Sequence, residues 1–431
     1  MCVNDLETAV PRHQFSLGII ASSLALVVCA GTSLRRTPVV VTMQGNWSGV
    51  PVTAGSYHSV RLWLLRLGLY QLSREKEQAD DWMWIIDHTL QLGDCKSLII
   101  LGIRQSTWEQ NASRVLNHED VELIDLQPVT ESNGKVVSRQ LEAAAAKTGY
   151  PCAIISDKGS DLQSGIALFC QKHKGTRWVY DVKHMTACLL KRAFQNDRSW
   201  GQFVDRTHRF KLQVAQTALA GVGSPQQRSK ARYMNADVLI DWATCRLELL
   251  NSRQAMRQSG LKPTQVEEKL GWLRKYETDV ARWSEMMAMV EATEHYVRHE
   301  GHHRNSLDEL KTCMSPPTTR AARALRQQML ECVGKQAEKV GKRERLLGPS
   351  EIIESVIGRF KHMAGERGYH GMTGMVLSIG AFVGRCAINT VQSAMEEVTT
   401  HDVWKWCHEH LGATVQSVRR RIAQALASEQ K

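Results

Sequence analysis

The chain has 431 residues, a length that predicts two or three folding units rather than a single core. Its formal net charge of +11 lies mostly between Lys172 and Arg232, where thirteen Lys and Arg residues face only three Asp and no Glu. Such a basic block indicates a polyanionic partner, of which nucleic acid is the commonest. Eleven cysteines without a CxxC pair argue against a disulfide framework and a zinc ribbon, and predict a cytoplasmic protein.

Residues 1–78 are predicted to form short helices around a Gly/Ser/Pro-rich break. The apolar run from Leu17 to Gly31 is short for a membrane span, which needs about 20 apolar residues. After the break, a helix from Tyr57 to Tyr70 has an apolar stripe, with Arg61 and Arg66 on other parts of its surface. This pattern is typical of the second helix of a helix-turn-helix, and it makes Arg61 a candidate DNA contact.

Residues 79–198 carry the strand pattern of the chain. The predicted elements are three strands, a helix, a strand, a helix and a strand, at residues 82–86, 97–103, 121–126, 136–148, 152–156, 161–173 and 177–180. This order is the one expected of an α/β ribonuclease H-like core, in which the fourth strand lies beside the first.

Residues 199–345 show helical patterns throughout and are predicted to form a large all-α insertion, with Trp200, Trp242, Trp272 and Trp283 in its core. Residues 346–431 are predicted to complete the core with a strong helix and a helical C-terminal region.

Three acidic residues are candidates for catalysis. Asp87 and Asp157 close the apolar runs of the first and fourth predicted strands, and Glu354 lies on the strong late helix. Carboxylates are the hard oxygen ligands that hold two Mg²⁺ ions about 4 Å apart for phosphodiester chemistry. The three residues therefore predict a two-metal site.

The motifs around these acids resemble those of DDE transposases of bacterial insertion sequences, which have a ribonuclease H-like core. The resemblance covers residues 81–200 and 345–365, and its motifs are Ile85-Ile-Asp-His-Thr, Ile155-Ser-Asp-Lys-Gly-Ser-Asp-Leu, Tyr180-Asp-Val-Lys-His and Glu354-Ser-Val-Ile-Gly-Arg-Phe-Lys. The Tyr and Arg that precede the catalytic Glu in one large insertion-sequence family are missing, because Ser350 and Leu347 occupy those places.

The resemblance implies that Asp87, Asp157 and Glu354 ligate two Mg²⁺ ions, with Mn²⁺ able to substitute. Water would then cleave the transposon end, and the freed 3′-hydroxyl would attack target DNA. It further implies double-stranded DNA as the partner, a homo-oligomer without membrane contact, and a place at the bacterial nucleoid. The residues that would contact DNA phosphates are Lys183, His184, Arg359 and Lys361.

Other interpretations of the same residues remain open. Glu351 competes with Glu354, since both lie on one helix one turn apart. Asp161 at the start of a helix is expected to be an N-cap. The zinc-ligand types His299, His302, His303 and Cys313 fit no closed tetrahedral spacing. At the level of function, the alternatives are a ribonuclease H-fold nuclease without strand transfer and a non-catalytic DNA-binding protein derived from a transposase.

Overall fold

The computed structural model describes residues 9–11, 13–49, 52–90, 96–226, 236–365, 373–411 and 415–429. The chain divides into two compact units. Unit 1 comprises Met1–Val179 and Ser350–Lys431, and unit 2 comprises Tyr180–Pro349. Unit 2 thus begins at residue 180, whereas the sequence pattern placed the start of the helical segment at 199.

The first part of unit 1 has three helices followed by the strands and helices of a mixed α/β layer. The elements are α1 (Leu17–Val28), α2 (Thr37–Trp47), α3 (Tyr57–Ser73), β1 (Trp82–Leu90), β2 (Lys96–Arg104), α4 (Gln105–Gln110), β3 (Glu122–Val129), α5 (Gly134–Thr148), β4 (Ala153–Ser156), α6 (Ser160–Lys172) and β5 (Arg177–Tyr180).

The five strands form one sheet in the order β3-β2-β1-β4-β5. β1 pairs antiparallel with β2, β2 pairs antiparallel with β3, and β1 pairs parallel with β4. The prediction that the fourth strand lies beside the first is therefore confirmed. A mixed five-stranded sheet among many helices is consistent with the predicted ribonuclease H-like fold.

Strand β1 is longer than the sequence pattern predicted. It continues through Asp87 to Leu90 because it stays paired with β2, as far as Leu90 opposite Lys96. Its pairing with β4 covers only Met83 to Ile85. The prediction that Asp87 ends the first strand is therefore wrong. Asp87 lies inside β1, just beyond the residues of β1 that pair with β4.

The two faces of the sheet are distinguished by the alternation of side chains along β1. Trp82, Trp84 and Ile86 belong to a buried core that also contains residues of α5 and α6. Successive residues of a strand point to opposite faces, so Met83, Ile85 and Asp87 lie on the other face. Helices α5 and α6 therefore cover one face of β1, and Asp87 belongs to the opposite one.

The elements of unit 2 that the structure describes are helices. They are α7 (Val182–Gln195), α8 (Arg198–Val214), α9 (Ala236–Asn251), α10 (Arg253–Gln258), α11 (Pro263–Leu270), α12 (Glu277–Glu300), α13 (Ser306–Cys313) and α14 (Arg320–Ala337). Their core contains Trp200, Trp242 and Trp283, with Trp272 packed against it. The tryptophans are core residues, as predicted.

The chain returns to unit 1 with five helices, α15 (Glu351–Gly365), α16 (Ser378–Ala381), α17 (Ile388–Glu397), α18 (Thr400–Leu411) and α19 (Val415–Glu429). Helix α3 packs against α16, α17 and α18, and also against α1, α2 and β3. It is the central helix of this part of the unit rather than a surface helix.

Helix α3, which the sequence pattern predicts to be the second helix of a helix-turn-helix, is largely buried. Every residue from Trp63 to Leu69 is buried, so both turns of this stretch lack an exposed face for a DNA groove. Arg66, predicted to lie on a free basic side, is only 8% exposed. Its guanidinium donates to the carbonyl oxygens of Met395 and Val398, so it is a buried connector to α17.

Candidate active site

Asp87 on β1 and Asp157 in the turn after β4 each follow the last paired residues of these two parallel strands. The last residue pair of β1 and β4 is Ile85 with Ile155, and the two aspartates follow two residues later in each chain segment. Adjacent strands lie about 4.8 Å apart, and residues two apart along a strand share a face. Because β1 and β4 run parallel, both aspartates lie beyond the same end of the stretch in which the two strands are paired.

Glu354 is brought to the same face by α15. This helix packs against β1, yet none of its described residues belongs to the core between the sheet and α5 and α6. It therefore lies on the face of Asp87. Glu354 is in the first turn of α15, and one of its carboxylate oxygens is buried. Glu351 is in the same turn, so the helix itself does not decide between the two glutamates.

Local backbone bonds orient both aspartates. The Oδ1 atom of Asp87 accepts from the backbone N–H of His88 at 2.7 Å. The Oδ1 atom of Asp157 accepts from the N–H of Gly159 at 2.9 Å, which closes a tight turn after β4. A Cβ on Gly159 would stand 3.2 Å from this same oxygen. The turn therefore holds the Asp157 carboxylate closely and leaves little room for a side chain at residue 159.

The donor set fits a divalent metal. Asp87, Asp157 and Glu354 are all partly buried carboxylates, and carboxylate oxygen is the preferred ligand of Mg²⁺ and Mn²⁺. Partial burial strengthens the attraction between anionic oxygens and a cation, because less water screens it. By donor chemistry, these three carboxylates of unit 1 suit such a metal.

A second polar group lies at the same end of the sheet. The Oδ2 atom of Asp161 accepts from Lys96 Nζ and from Ser132 Oγ, the latter at 2.6 Å, and His88 Nδ1 lies 3.6 Å away. Lys96, His88 and two hydrogen bonds keep the pKa of Asp161 well below its usual range, against the effect of burial. Burial lowers the pKa of His88 to about 4, with Lys96 adding to this effect.

The role of Asp161 differs from the predicted N-cap. Gly159 is the N-cap residue of α6, and Asp161 lies inside the first turn. Nothing in the local sequence pattern pointed to Lys96, Ser132 or His88 as its partners, because they come from three distant chain positions. The sequence feature closest to a signal for this polar group was the presence of a second carboxylate, Asp161, four residues after Asp157.

In unit 2, the motif that begins at Tyr180 forms a defined Asp–His pair. Asp181 is fully buried and is the N-cap of α7, accepting from the backbone N–H groups of Lys183 and His184. His184 Nδ1 donates to Asp181 Oδ2 at 2.7 Å. This bond fixes the imidazole tautomer and its orientation. The Asp181 carboxylate is thus the support of His184, which is about one-third exposed.

The remaining predicted DNA contacts lie in different surroundings. Lys361 is exposed on α15, seven residues and therefore about two turns after Glu354. Arg359 is exposed as well, and its Nη1 donates to the carbonyl of Val28 at 3.2 Å. Arg61 lies over the ring of Trp404, with 5.9 Å between its guanidinium carbon and the ring centroid. Lys183 follows the cap of α7 in unit 2.

Comparisons with known proteins include a distant structural likeness. No family model matches the chain, and no curated protein sequence matches it. Among solved structures, the chain is similar to the Drosophila P element transposase strand transfer complex, with 9% sequence identity and a TM-score of 0.42 over 88% of this chain and 94% of that chain. A likeness of this extent assigns neither a family nor an activity. Within the described residues, no helix combines the length and apolar character required to cross a membrane.

Proposed function

We propose that this protein is a DDE-type DNA transposase. It cuts phosphodiester bonds at the ends of a mobile element and joins the freed 3′-hydroxyl to target DNA. The observation that supports the proposal is that Asp87 and Asp157 each follow the last residue pair of the parallel strands β1 and β4 by two residues, and that the helix of Glu354 packs against β1. The insertion-sequence type of the element and a homo-oligomeric assembly are parts of the same proposal.

Asp87, Asp157 and Glu354 hold two divalent cations, with Mg²⁺ as the natural metal and Mn²⁺ as a substitute. When bound, such ions activate the attacking oxygen and stabilise the leaving oxygen of an in-line displacement. The turn at Gly159 fixes the Asp157 carboxylate before metal or DNA arrives, which lowers the reorganisation that binding requires.

DNA is held through its phosphates. In unit 1 the contacts are made by Lys361, Arg359 and Arg61, and in unit 2 by Lys183 and His184. The buried Asp181 orients the His184 ring. The imidazole therefore loses little conformational entropy when it binds a phosphate. The all-α insertion at residues 199–345 and the helical regions at 1–78 and 346–431 belong to the proposed architecture of the transposase.

The test is a strand-transfer assay that uses DNA flanking the gene as donor and a supercoiled plasmid as target. With Mg²⁺ or Mn²⁺, the wild-type protein is expected to give joined products, and Asp157→Asn is expected to give none. Cleavage without joining would favour the nuclease alternative. DNA binding with neither reaction, unchanged by Asp157→Asn, would favour a non-catalytic DNA-binding protein and reject the transposase.

A further inference from the structure

The polar group around Asp161 joins three chain segments that are far apart in the sequence. Lys96 begins β2, Ser132 precedes α5, and Asp161 lies in the first turn of α6. The Oδ2 atom of Asp161 accepts hydrogen bonds from both other side chains. His88 Nδ1, on β1, lies 3.6 Å from the same oxygen. One carboxylate oxygen thus connects the start of α6 to the β1–β2 pair and to the segment before α5.

The same first turn of α6 is continuous with the turn that carries Asp157. Only three residues separate Asp157 from Asp161, and one of them is Gly159. A Cβ at Gly159 would stand 3.2 Å from Asp157 Oδ1 and 3.7 Å from Asp161 Oδ1, so both carboxylates lie beside Gly159. A shift of Asp161 would therefore move the turn that orients Asp157.

The contacts of Asp161 are stronger than those of a surface ion pair. The side chains of Asp161, Lys96 and His88 are only 15%, 25% and 6% exposed. Hydrogen bonds between ionised groups are shorter and stronger than neutral ones, and low exposure reduces their screening. The lowered pKa of Asp161 keeps the carboxylate ionised across the range of pH in which proteins are usually assayed.

A helix cap alone does not explain this arrangement. The N–H of Gln163 already bonds to the Gly159 carbonyl at 2.7 Å, and Leu162 is buried in the core between α6 and the sheet. Helix α6 is thus begun and anchored by other residues. The ion pair adds a link between the Asp157 turn and the β1–β2 pair, whose strand β1 carries Asp87.

We propose that Asp161, held by Lys96 and Ser132, is a positioning residue that fixes Asp157 relative to Asp87 and thereby sets the affinity of the site for divalent cations. The inference rests on the proposed metal site. Residues that orient metal ligands without touching the metal commonly change its affinity by about 10- to 100-fold. The effect therefore appears in metal binding itself, before any DNA reaction.

The experiment measures Mn²⁺ binding to the full chain without DNA, from the electron paramagnetic resonance signal of free Mn²⁺. Asp161→Asn and Lys96→Met are each expected to raise the dissociation constant about tenfold or more. The double variant is expected to be little weaker than either single one, because the two residues act as a unit.

The matched control is Asp125→Asn in the same sheet. Asp125 is also a carboxylate of low solvent exposure, with 8% of its side chain exposed, and it forms an ion pair with Lys147 Nζ at 3.0 Å. It lies on β3, two strands from β1. This variant is expected to lower the unfolding midpoint about as much as Asp161→Asn while leaving Mn²⁺ affinity unchanged. A merely structural role for Asp161 would give the two variants the same Mn²⁺ affinity.

The outcomes separate this inference from the proposed function. Mn²⁺ binding that depends on Asp157 but stays within twofold of wild type in Asp161→Asn and Lys96→Met would overturn the inference alone. Absence of any Asp157-dependent Mn²⁺ binding would overturn the proposed metal site and the inference with it. If Asp161→Asn does not fold, Ser132→Ala removes one donor to the same oxygen and is expected to weaken Mn²⁺ binding in the same direction.

Discussion

Two aspartates near the start of helices have opposite roles in the two units. Asp197 in unit 2 is the N-cap of α8, and its carboxylate also accepts from Arg282 Nη2 at 2.7 Å and from Trp283 Nε1 at 2.8 Å. Asp157 in unit 1 does not cap α6, since Gly159 has that position. In unit 2 the Asp197 carboxylate stabilises a helix and its packing, whereas the Asp157 carboxylate of unit 1 is held in a turn after β4.

The difference shows which Asp residues deserve a functional interpretation. An Asp before a helix is usually a cap, and Asp197 follows that rule. Asp157 departs from it because a glycine takes the cap position and the carboxylate accepts from the glycine N–H instead. If this comparison is correct, substitution of the proposed metal ligands Asp87, Asp157 and Glu354 should reduce activity with little effect on folding. Substitution of Asp197, called here the framework carboxylate of unit 2, should reduce stability instead.

The largest expected effect separates Glu354 from Glu351 within one helical turn. Glu354→Gln should lower strand transfer by about 10³-fold, equivalent to about 4 kcal/mol in the barrier, because it removes a metal ligand. Glu351→Gln is the matched control and should retain activity within a few-fold. Initial rates at saturating Mg²⁺, with the unfolding midpoint of each variant, measure the contrast. Activity retained by Glu354→Gln and lost by Glu351→Gln would show that Glu351, not Glu354, is the third ligand.

The next effect concerns the framework carboxylate of unit 2. Asp197→Ala removes the cap of α8 and leaves the indole N–H of Trp283, a fully buried residue, without its acceptor. Together these losses should lower the free energy of unfolding by about 2–4 kcal/mol. Urea unfolding followed by tryptophan fluorescence measures it. Asp205→Ala, at an exposed position of the same helix, should change stability by less than about 0.5 kcal/mol.

The sheet could be predicted from the sequence because its strands are short apolar runs between turn residues. All five predicted strands exist, and the pairing of the first with the fourth follows from the order of elements. The end of β1 could not be predicted. Pairing with β2 carries the strand past Asp87 through polar residues, and that pairing depends on a partner strand rather than on local pattern.

The environment of the charged side chains was the part that sequence could not supply. The sequence pattern predicted Arg66 to be a free basic residue, but its guanidinium bonds to His13 and to two carbonyls more than 300 residues later in the chain. The Lys96–Asp161 pair likewise spans 65 residues. Periodicity reports which side of a helix is apolar, and it does not report which polar groups are buried with satisfied hydrogen bonds.

Close packing in unit 1 provides a test that leaves the site untouched. A Cβ on Gly68 of α3 would stand 1.8 Å from the backbone oxygen of Leu377. Gly68→Ala should therefore destabilise unit 1 by about 2–3 kcal/mol, even though alanine favours the helix by about 1 kcal/mol. Gly358→Ala on α15, where nothing lies within 4 Å, should leave stability equal or slightly higher. Thermal unfolding compares the two, and equal midpoints would contradict the packing argument.

The smallest effect is a pH dependence that belongs to unit 2. His302 is fully buried, its ring nitrogens have no hydrogen-bond partner among the described residues, and burial, aided by Lys339 and His303, lowers its pKa to about 3. The unfolded chain takes up a proton near pH 6.5 and the folded chain does not, so stability falls as pH drops below about 6.5. At pH 5 the loss from this residue should be about 2 kcal/mol.

His302→Leu should remove this part of the pH dependence, because leucine fills similar space and takes up no proton. The measurement is urea unfolding at pH 7, 6 and 5 for the wild type, His302→Leu and the exposed control His208→Leu. The stability difference between His302→Leu and wild type should shift in favour of the variant by about 2 kcal/mol from pH 7 to pH 5. His303 and His88 also have lowered pKa values and contribute a slope of the same sign to every variant, so only the difference isolates His302. An unchanged difference across this range would mean that His302 is protonated in the folded protein, and that its burial is weaker than the packing of unit 2 indicates.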